Sequence, residues 1–258
     1  MDSRQFGFIP NGFGGCTNAL LAIRLSILQH VSINSSQYAR ILAIDFRKAF
    51  DSVNHCSLIH SLINNFDCSP FAVQFIRSFL SNRYQHVSLK DVDTPWKLVT
   101  SGVPQGSILG PILFTFLIDD LPQLSDTKIV AYADDITLIY MCNDNSVDCF
   151  QCVVNVFSQW ADDKNLVINV DKTKCLRVSR SDCNLNHSPV VICGSMIEEV
   201  QSLRILGVYF SSDLKWNDQF EFLFKKCCRA MSLVKRLKRN CNCDSVVWQA
   251  YMGLVFVT

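Results

Sequence analysis

Three aspartates set in apolar runs are the residues of this chain best suited to chemistry. Asp134 and Asp135 are adjacent within KIVAYADDITLIYM, and Asp45 closes the earlier run RILAIDF. A carboxylate in such surroundings must be paired or metal-bound, because an isolated buried charge costs on the order of several kcal/mol. Three carboxylates converging on one point repel each other unless cations sit between them. Mg²⁺ suits such a place, with Mn²⁺ as a substitute: it takes hard oxygen ligands, keeps waters and shares its shell with phosphates. Two ions roughly 3.5 to 4 Å apart would activate an attacking hydroxyl and stabilise a leaving oxygen, so the chemistry implied is phosphoryl transfer. The competing reading is an ordinary polar turn and an edge-strand residue, since Asp is a favoured turn residue.

A second segment bears on that choice. Residues 101 to 118 read SGVPQGSILGPILFTFLI, a loop running into a buried helix with Pro111 near its first position. Gly102 and Gly106 permit close backbone approach to a bulky ligand, and Gln105 offers an amide donor and acceptor between them. Such a loop suits a nucleotide or a base pair; a plain structural turn feeding a core helix is the alternative.

The elements that must position these groups follow from composition and spacing. Ile, Val, Tyr and Thr on both sides of the aspartate pair predict two strands buried on both faces, joined as a hairpin with Asp134-Asp135 at its tip. Neighbouring strand residues point to opposite faces, so the doublet serves one site only if a tight turn bends the backbone there. In the run to Asp45, Ile41, Ala43 and Asp45 share one face and Leu42, Ile44 and Phe46 the other. SLIHSLINNF and FAVQFIRSFLSNR carry apolar residues at helical spacing and predict two helices. An α+β fold, an antiparallel sheet backed by helices, is expected.

In this order the segments resemble the reverse transcriptase domain of non-LTR (jockey/CR1-like) retrotransposons over nearly the whole chain. QFGFIPNGFGGCTNAL is similar to the segment before the palm, AIDFRKAFDSVNH to motif A, SGVPQGSILGPILF to motif B and AYADDITLIY to motif C. LVINVDKTKCLRVS is similar to motif D, and LRILGVYFSSDLKW to motif E. The resemblance implies a right-hand polymerase: partial fingers over 1–38, palm with motif A over 39–53, and fingers/palm helices and connecting strands over 54–100. Palm with motifs B to E over 101–215 and a partial thumb over 216–258 complete it. It implies an RNA-directed DNA polymerase with an RNA template, a DNA primer and deoxynucleoside triphosphates as partners.

Carried over by position, the resemblance gives Asp45, Asp134 and Asp135 the two catalytic Mg²⁺ ions. Phe50, with Phe46, joins the nucleotide site, Phe50 as a steric gate whose ring clashes with a ribose 2′-hydroxyl. Gln105 and Gly106 line the pocket for the new base pair. Lys172 becomes a general acid toward departing pyrophosphate. Leu206 and Gly207 fall in a hairpin that grips the primer. Asp51, Asp119 and Asp120 are left as solvated or capping carboxylates. The chain departs from the family pattern where Ile9 and NGFGGC stand in place of an Arg and a Ser-Thr pair. The family's upstream strands with basic residues would precede residue 1 and its thumb would continue past residue 258. Missing upstream and downstream parts of a longer polyprotein are thus implied, and a fragment of weak or no activity. No endonuclease or RNase H domain fits in this length. An RNA-directed RNA polymerase, which Phe50 opposes, and a non-catalytic nucleic-acid-binding remnant remain as alternatives.

Composition sets the remaining bounds. With 258 residues, 49% of them hydrophobic, the chain can bury a sizeable core. Its formal charge of +1 conceals a concentration: Lys225 to Arg239 holds seven basic residues and no acid, and setting these aside leaves −6 elsewhere. In that stretch Ala230, Val234 and Leu237 recur at helical spacing, which docks one face and turns Lys225, Lys226, Arg229, Lys235 and Arg236 outward for a template–primer duplex. A localisation signal, a membrane-surface helix and a solvated face share that pattern. Trp216 and Phe220 are expected in the core. The thirteen cysteines, odd in number and without a leader before them, predict a reduced intracellular setting, with free thiols buried as small hydrophobes. The most apolar run, ILGPILFTFLI, is too short to span a membrane.

Overall fold

Four stretches dense in apolar and β-branched residues form the heart of one sheet in the computed structural model, which describes residues 2–9, 14–31, 38–90, 92–142, 148–179, 188–241 and 243–256. Half of the run NGFGGC, residues 11–13, lies outside them. In chain order the first elements are α1 (Cys16–Val31), β1 (Tyr38–Ile44), α2 (Ala49–Ser52), α3 (His55–Asn64) and α4 (Pro70–Leu80). Four short strands follow, β2 (Arg83–Gln85), β3 (Ser88–Leu89), β4 (Val92–Asp93) and β5 (Lys97–Val99), then α5 (Leu109–Leu117). Next come β6 (Thr127–Tyr132), β7 (Asp135–Cys142), α6 (Phe150–Asp163), β8 (Lys174–Ser179), β9 (Val191–Ile192), β10 (Ser195–Met196) and β11 (Glu198–Val200). The chain closes with β12 (Ser202–Ile205), β13 (Val208–Ser211), α7 (Asn217–Asn240) and α8 (Asp244–Tyr251). Both helices expected between the first aspartate and the glycine loop are present as α3 and α4.

The main sheet has the order β11-β8-β1-β7-β6, antiparallel throughout except for the β11–β8 edge. β1 is central, with Ile41 opposite Ile139 on one side and Leu176 on the other. Helix α1 lies against β1, β6, β7 and β8 and buries Ile23 and Ile27. Leu42, Ile44, Ile136 and Leu138 belong to a larger core with Leu58 and Leu62 of α3, Leu113 and Phe114 of α5, and Phe150 and Phe157 of α6. Burial on both faces explains why these antiparallel strands read as continuous apolar runs rather than alternating ones.

The chain divides into two compact units, residues 1–201 and 202–258. In the second, the β12–β13 hairpin packs with α7, whose buried positions are Ala230 and Val234. Two expectations about packing are corrected. Phe220 is 68% exposed, because it falls off the stripe of α7 formed by Phe222, Leu223, Cys227, Ala230 and Val234. Among the described cysteines only Cys142 and Cys175 are buried, while Cys16, Cys56, Cys149, Cys152, Cys193, Cys228 and Cys243 are exposed; all are free thiols. No described helix is long and apolar enough to cross a membrane.

One buried polar group stands out in the core. Arg40, in the middle of β1, is 2% exposed; its Nη1 donates to Asp148 Oδ2 at 2.8 Å and its guanidinium lies 4.8 Å above the Phe150 ring. Asp148 Oδ1 in turn accepts from the Phe150 amide at 3.0 Å, in the first turn of α6. The pair therefore ties the central strand to the start of a core helix. Removing one partner strands a buried charge, so Asp148→Ala is expected to cost about 3–5 kcal/mol in denaturant unfolding. Replacing both partners together, Arg40→Met with Asp148→Leu, is expected to cost less than Asp148→Ala alone.

Candidate active site

The apolar flanks of the aspartate pair form the β6–β7 hairpin, with Tyr132 opposite Asp135 and a two-residue turn of Ala133 and Asp134 between them. Ala133 takes φ of +54°. A left-handed residue at the first turn position matches the twist of the flanking strands. In alanine it is strained, at a cost on the order of 1 kcal/mol. Asp134 thus sits in the turn and Asp135 opens β7. Ile44 of β1 pairs with Ile136, so Asp45, the next residue, emerges beside the same turn.

Asp45 is held by the segment before β8. Its backbone carbonyl accepts from the Asn169 amide at 2.7 Å and its Oδ2 from Asn169 Nδ2 at 3.0 Å. Lys172 Nζ stands 3.7 Å from the same Oδ2, an exposed pair of little worth to stability that nonetheless places the ammonium at the site. The structure therefore brings Asp45, Asp134, Asp135 and Lys172 into one neighbourhood. Asn169, absent from the sequence expectations, completes it; a buried-run Asn before Asp171-Lys172 was its only signal.

The carboxylates feel each other. Partial desolvation pushes the Asp134 carboxyl above its ordinary value, and the charge of Asp45 adds to this. Asp135 is raised likewise, by desolvation first and then by the charges of Asp134 and Asp45. Solvent still reaches Asp135 on its open side, which limits the effect. As ligands, three carboxylates with a neighbouring amide fit a hard divalent cation. Among the described residues no three His, Cys, Asp or Glu side chains are drawn together tightly enough to grip an ion as they stand. The expected convergence on one point is thus a shared neighbourhood of spaced like charges.

The 101–106 loop is bonded to α2, which follows Asp45 in the chain, and to the residue after that helix. Val103 N donates to the Phe50 carbonyl and Gly102 N to the Val53 carbonyl, both at 2.8 Å. The half-buried Phe50 ring packs 4.8 Å from Phe114 of α5. Gln105 Nε2 donates to Asp51 Oδ1 at 2.9 Å, and both line a cleft of about 630 Å³ with Lys48, Arg83, Tyr84 and Gly102. A Cβ on Gly102 would lie 2.7 Å from the Asp51 carbonyl oxygen, so the close approach there is chain to chain. Gly106 has open space around it and is needed for its φ of +79°. The Phe46 side chain is buried in the core, and its backbone bridges to Ile168.

Asp120, expected to be solvated, binds Lys164 Nζ at 2.5 Å and Trp160 Nε1 at 3.3 Å. Asp119 Oδ1 accepts from the Asp2 amide at 2.6 Å. In the second unit, Leu206 and Gly207 form the two-residue turn of the β12–β13 hairpin, both at positive φ. On α7, Lys225, Lys226, Arg229, Lys235 and Arg236 are all exposed, Lys225 in an ion pair with Glu221.

A five-stranded sheet with aspartates at the end of one strand and at the turn beside it defines the class, a right-hand polymerase fold. The model of the reverse transcriptase (RNA-dependent DNA polymerase) family matches residues 1–223, and the chain belongs to that family. It is 26% identical over 237 residues to the RNA-directed DNA polymerase from mobile element jockey of Drosophila melanogaster, covering 86% of this chain and 25% of that protein. It is 29% identical to the jockey counterpart of Drosophila funebris, covering 81% of this chain and 23% of that one. The probable RNA-directed DNA polymerase from transposon X-element of Drosophila melanogaster is also 29% identical, over 83% of this chain and 23% of its own length. The chain thus spans about a quarter of these relatives. Among solved structures, the fold is similar to apo telomerase from Candida tropicalis truncated from its C-terminal domain, with a TM-score of 0.55 at 14% identity, over 82% of this chain and 40% of that one. It is equally similar to telomerase from Candida albicans in complex with a telomeric RNA fragment, with a TM-score of 0.55 at 14% identity, over 78% of this chain and 33% of that one.

A carboxyl whose folded pKa is raised destabilises the fold above that pKa, and the penalty fades as pH falls and the group protonates. In the metal-free chain Asp134→Asn is therefore expected to raise the melting temperature at pH 7. The gain shrinks as pH is lowered through the raised Asp134 pKa, which lies above its ordinary 3.8. Melting curves across pH check it. Gly102→Ala, with no room for its Cβ, is expected to destabilise by about 2 kcal/mol or more, against about 1 kcal/mol for Gly106→Ala.

Proposed function

We propose that this chain is the catalytic core of an RNA-directed DNA polymerase of the non-LTR retrotransposon type. The observation that carries the proposal is the juxtaposition of Asp45 with Asp134 and Asp135 across paired strands. Asp45, Asp134 and Asp135 hold divalent cations, Mg²⁺ with Mn²⁺ as substitute. When bound, these ions activate a primer 3′-hydroxyl and stabilise the leaving oxygen of an in-line displacement.

The remaining roles belong to the chain's own side chains. Phe50, braced by Phe114 and by Val103 on its carbonyl, stands as a fixed ring against the sugar of an incoming nucleotide. Gln105 borders the cleft for the nascent base pair, with Asp51 holding its amide, and Gly106 follows it in the same loop. Lys172 is placed to give a proton to the leaving pyrophosphate. Residues 1–38 correspond to partial fingers, 39–53 and 101–215 to palm, 54–100 to fingers/palm helices and connecting strands, and 216–258 to the start of a thumb. In that last segment the exposed cations of α7 attract the phosphates of a template–primer duplex, and the Leu206-Gly207 turn supports the primer. An RNA template, a DNA primer and deoxynucleoside triphosphates are the partners.

Primer extension on an RNA template with Mg²⁺ tests this. Extension with deoxynucleotides is expected, lost in Asp45→Asn and Asp134→Asn by three orders of magnitude or more, on the order of what a missing phosphoryl-transfer group costs. Phe50→Ala is expected to improve ribonucleotide use relative to deoxynucleotide by at least about tenfold. A folded chain that extends neither kind of nucleotide, here or within the longer protein, would overturn the proposal.

A further inference from the structure

The turn carrying Asp134 is gripped from outside the hairpin by a residue near the start of the chain. Gln5 is 3% exposed, and its Oε1 accepts from the Ala133 amide at 3.0 Å and from the Gly7 amide at 2.8 Å. Around it the backbone is laid along β6 as a short parallel bridge. Phe6 N donates to the Ala131 carbonyl at 2.8 Å and Ala131 N to the Arg4 carbonyl at 2.9 Å. Arg4 fastens the segment further by donating to the carbonyls of Leu121 at 2.6 Å and Pro122 at 2.7 Å. On the other side of the same amide, a Cβ on Gly7 would fall 2.6 Å from Ala133 N.

Gln5 Oε1 thus accepts from the amide of the strained turn residue, and Gly7, which shares that oxygen, lies too close to the same nitrogen to carry a side chain. Ala133 is itself buried, so without Gln5 its N–H loses its acceptor, a loss of about 1–3 kcal/mol that relaxation of the turn would relieve. Relaxation of Ala133 moves Asp134 and Asp135 together. A glutamate at this position would supply the oxygen but set another negative charge behind the carboxylates; a neutral amide avoids that. Its cost is visible: Gln5 Nε2 is buried with no hydrogen-bond partner among the described residues.

We infer that Gln5 is a positioning residue of the metal site, holding the Ala133-Asp134 turn in the conformation that sets Asp134 and Asp135 beside Asp45. The inference rests on the metal-binding role proposed above. Mn²⁺ binding to the purified chain, followed by electron paramagnetic resonance, tests it without requiring turnover, with Asp134→Asn giving the background. Gln5→Met, similar in shape but without an acceptor, is expected to weaken Mn²⁺ binding about tenfold, the equivalent of one lost hydrogen bond. Gln5→Glu, which keeps an acceptor, is expected to bind Mn²⁺ more tightly than Gln5→Met although it melts lower. Because the added charge of glutamate itself favours a cation, it is Gln5→Met, binding less tightly while still folded, that separates positioning from general destabilisation. Gly7→Ala is expected to weaken binding as Gln5→Met does, and it decides the matter if Gln5→Met fails to fold. Mn²⁺ binding within about twofold of the unaltered chain in the deciding variant would overturn the inference alone. No Mn²⁺ binding by the unaltered chain would overturn it together with the metal site.

Discussion

Mutual repulsion among Asp45, Asp134 and Asp135 is the constraint to which the surrounding structure answers. Two of the three are consecutive in the chain, and only a turn as short as Ala133-Asp134 lets consecutive residues serve one site. The turn must then be held against its own strain and against the charge it carries. The sheet supplies rigidity through a central strand buried on both faces. Asn169 and Lys172 supply donors to Asp45, and Gln5 holds the amide of Ala133. Each element restrains one end of an arrangement of like charges that is unfavourable by itself.

The pocket that holds Gln105 is built on a different principle, contact between two backbone segments. Gly102 lies so close to Asp51 that no larger residue fits, and the amides of Gly102 and Val103 bond carbonyls on either side of Asp51. The position of the Phe50 ring is therefore set by the 101–106 loop as much as by its own helix. In the proposed roles of Phe50 and Gln105, selectivity for the sugar and contact with the base would be mechanically joined: a shift in the loop that carries Gln105 is a shift in the ring as well.

Much of this was legible in the residue order. The aspartates in apolar runs, the strands on each side of them and the amphipathic spacing of α3 and α4 are local patterns, and local periodicity reports them well. What escaped depends on pairing between distant parts of the chain. Gln5 bears no pattern that points to Ala133, since the two meet only because a short segment is laid along β6. Arg40 reads as an interruption of a strand until Asp148 is brought to it. Gly102 was read as making room for a ligand because the sequence does not tell which chain segment comes near. Phe220 and the exposed cysteines were misjudged for a simpler reason: apolar character gives a tendency to be buried, and a long helix with one narrow docking stripe cannot bury every apolar residue it carries.

The strand order of the main sheet also bears on how the protein is made. β1 emerges from the ribosome well before either neighbour, because Ile41 waits for Ile139 on one edge and Leu176 on the other. During that interval an apolar strand has both edges unpaired, a state prone to pairing with other chains. Contacts of such long sequence separation also slow folding. Arg40, a cation in the middle of this strand, discourages intermolecular stacking until Asp148 and the start of α6 arrive to neutralise it. The same residue that burdens the finished core with a buried charge thus guards the unfinished one against aggregation.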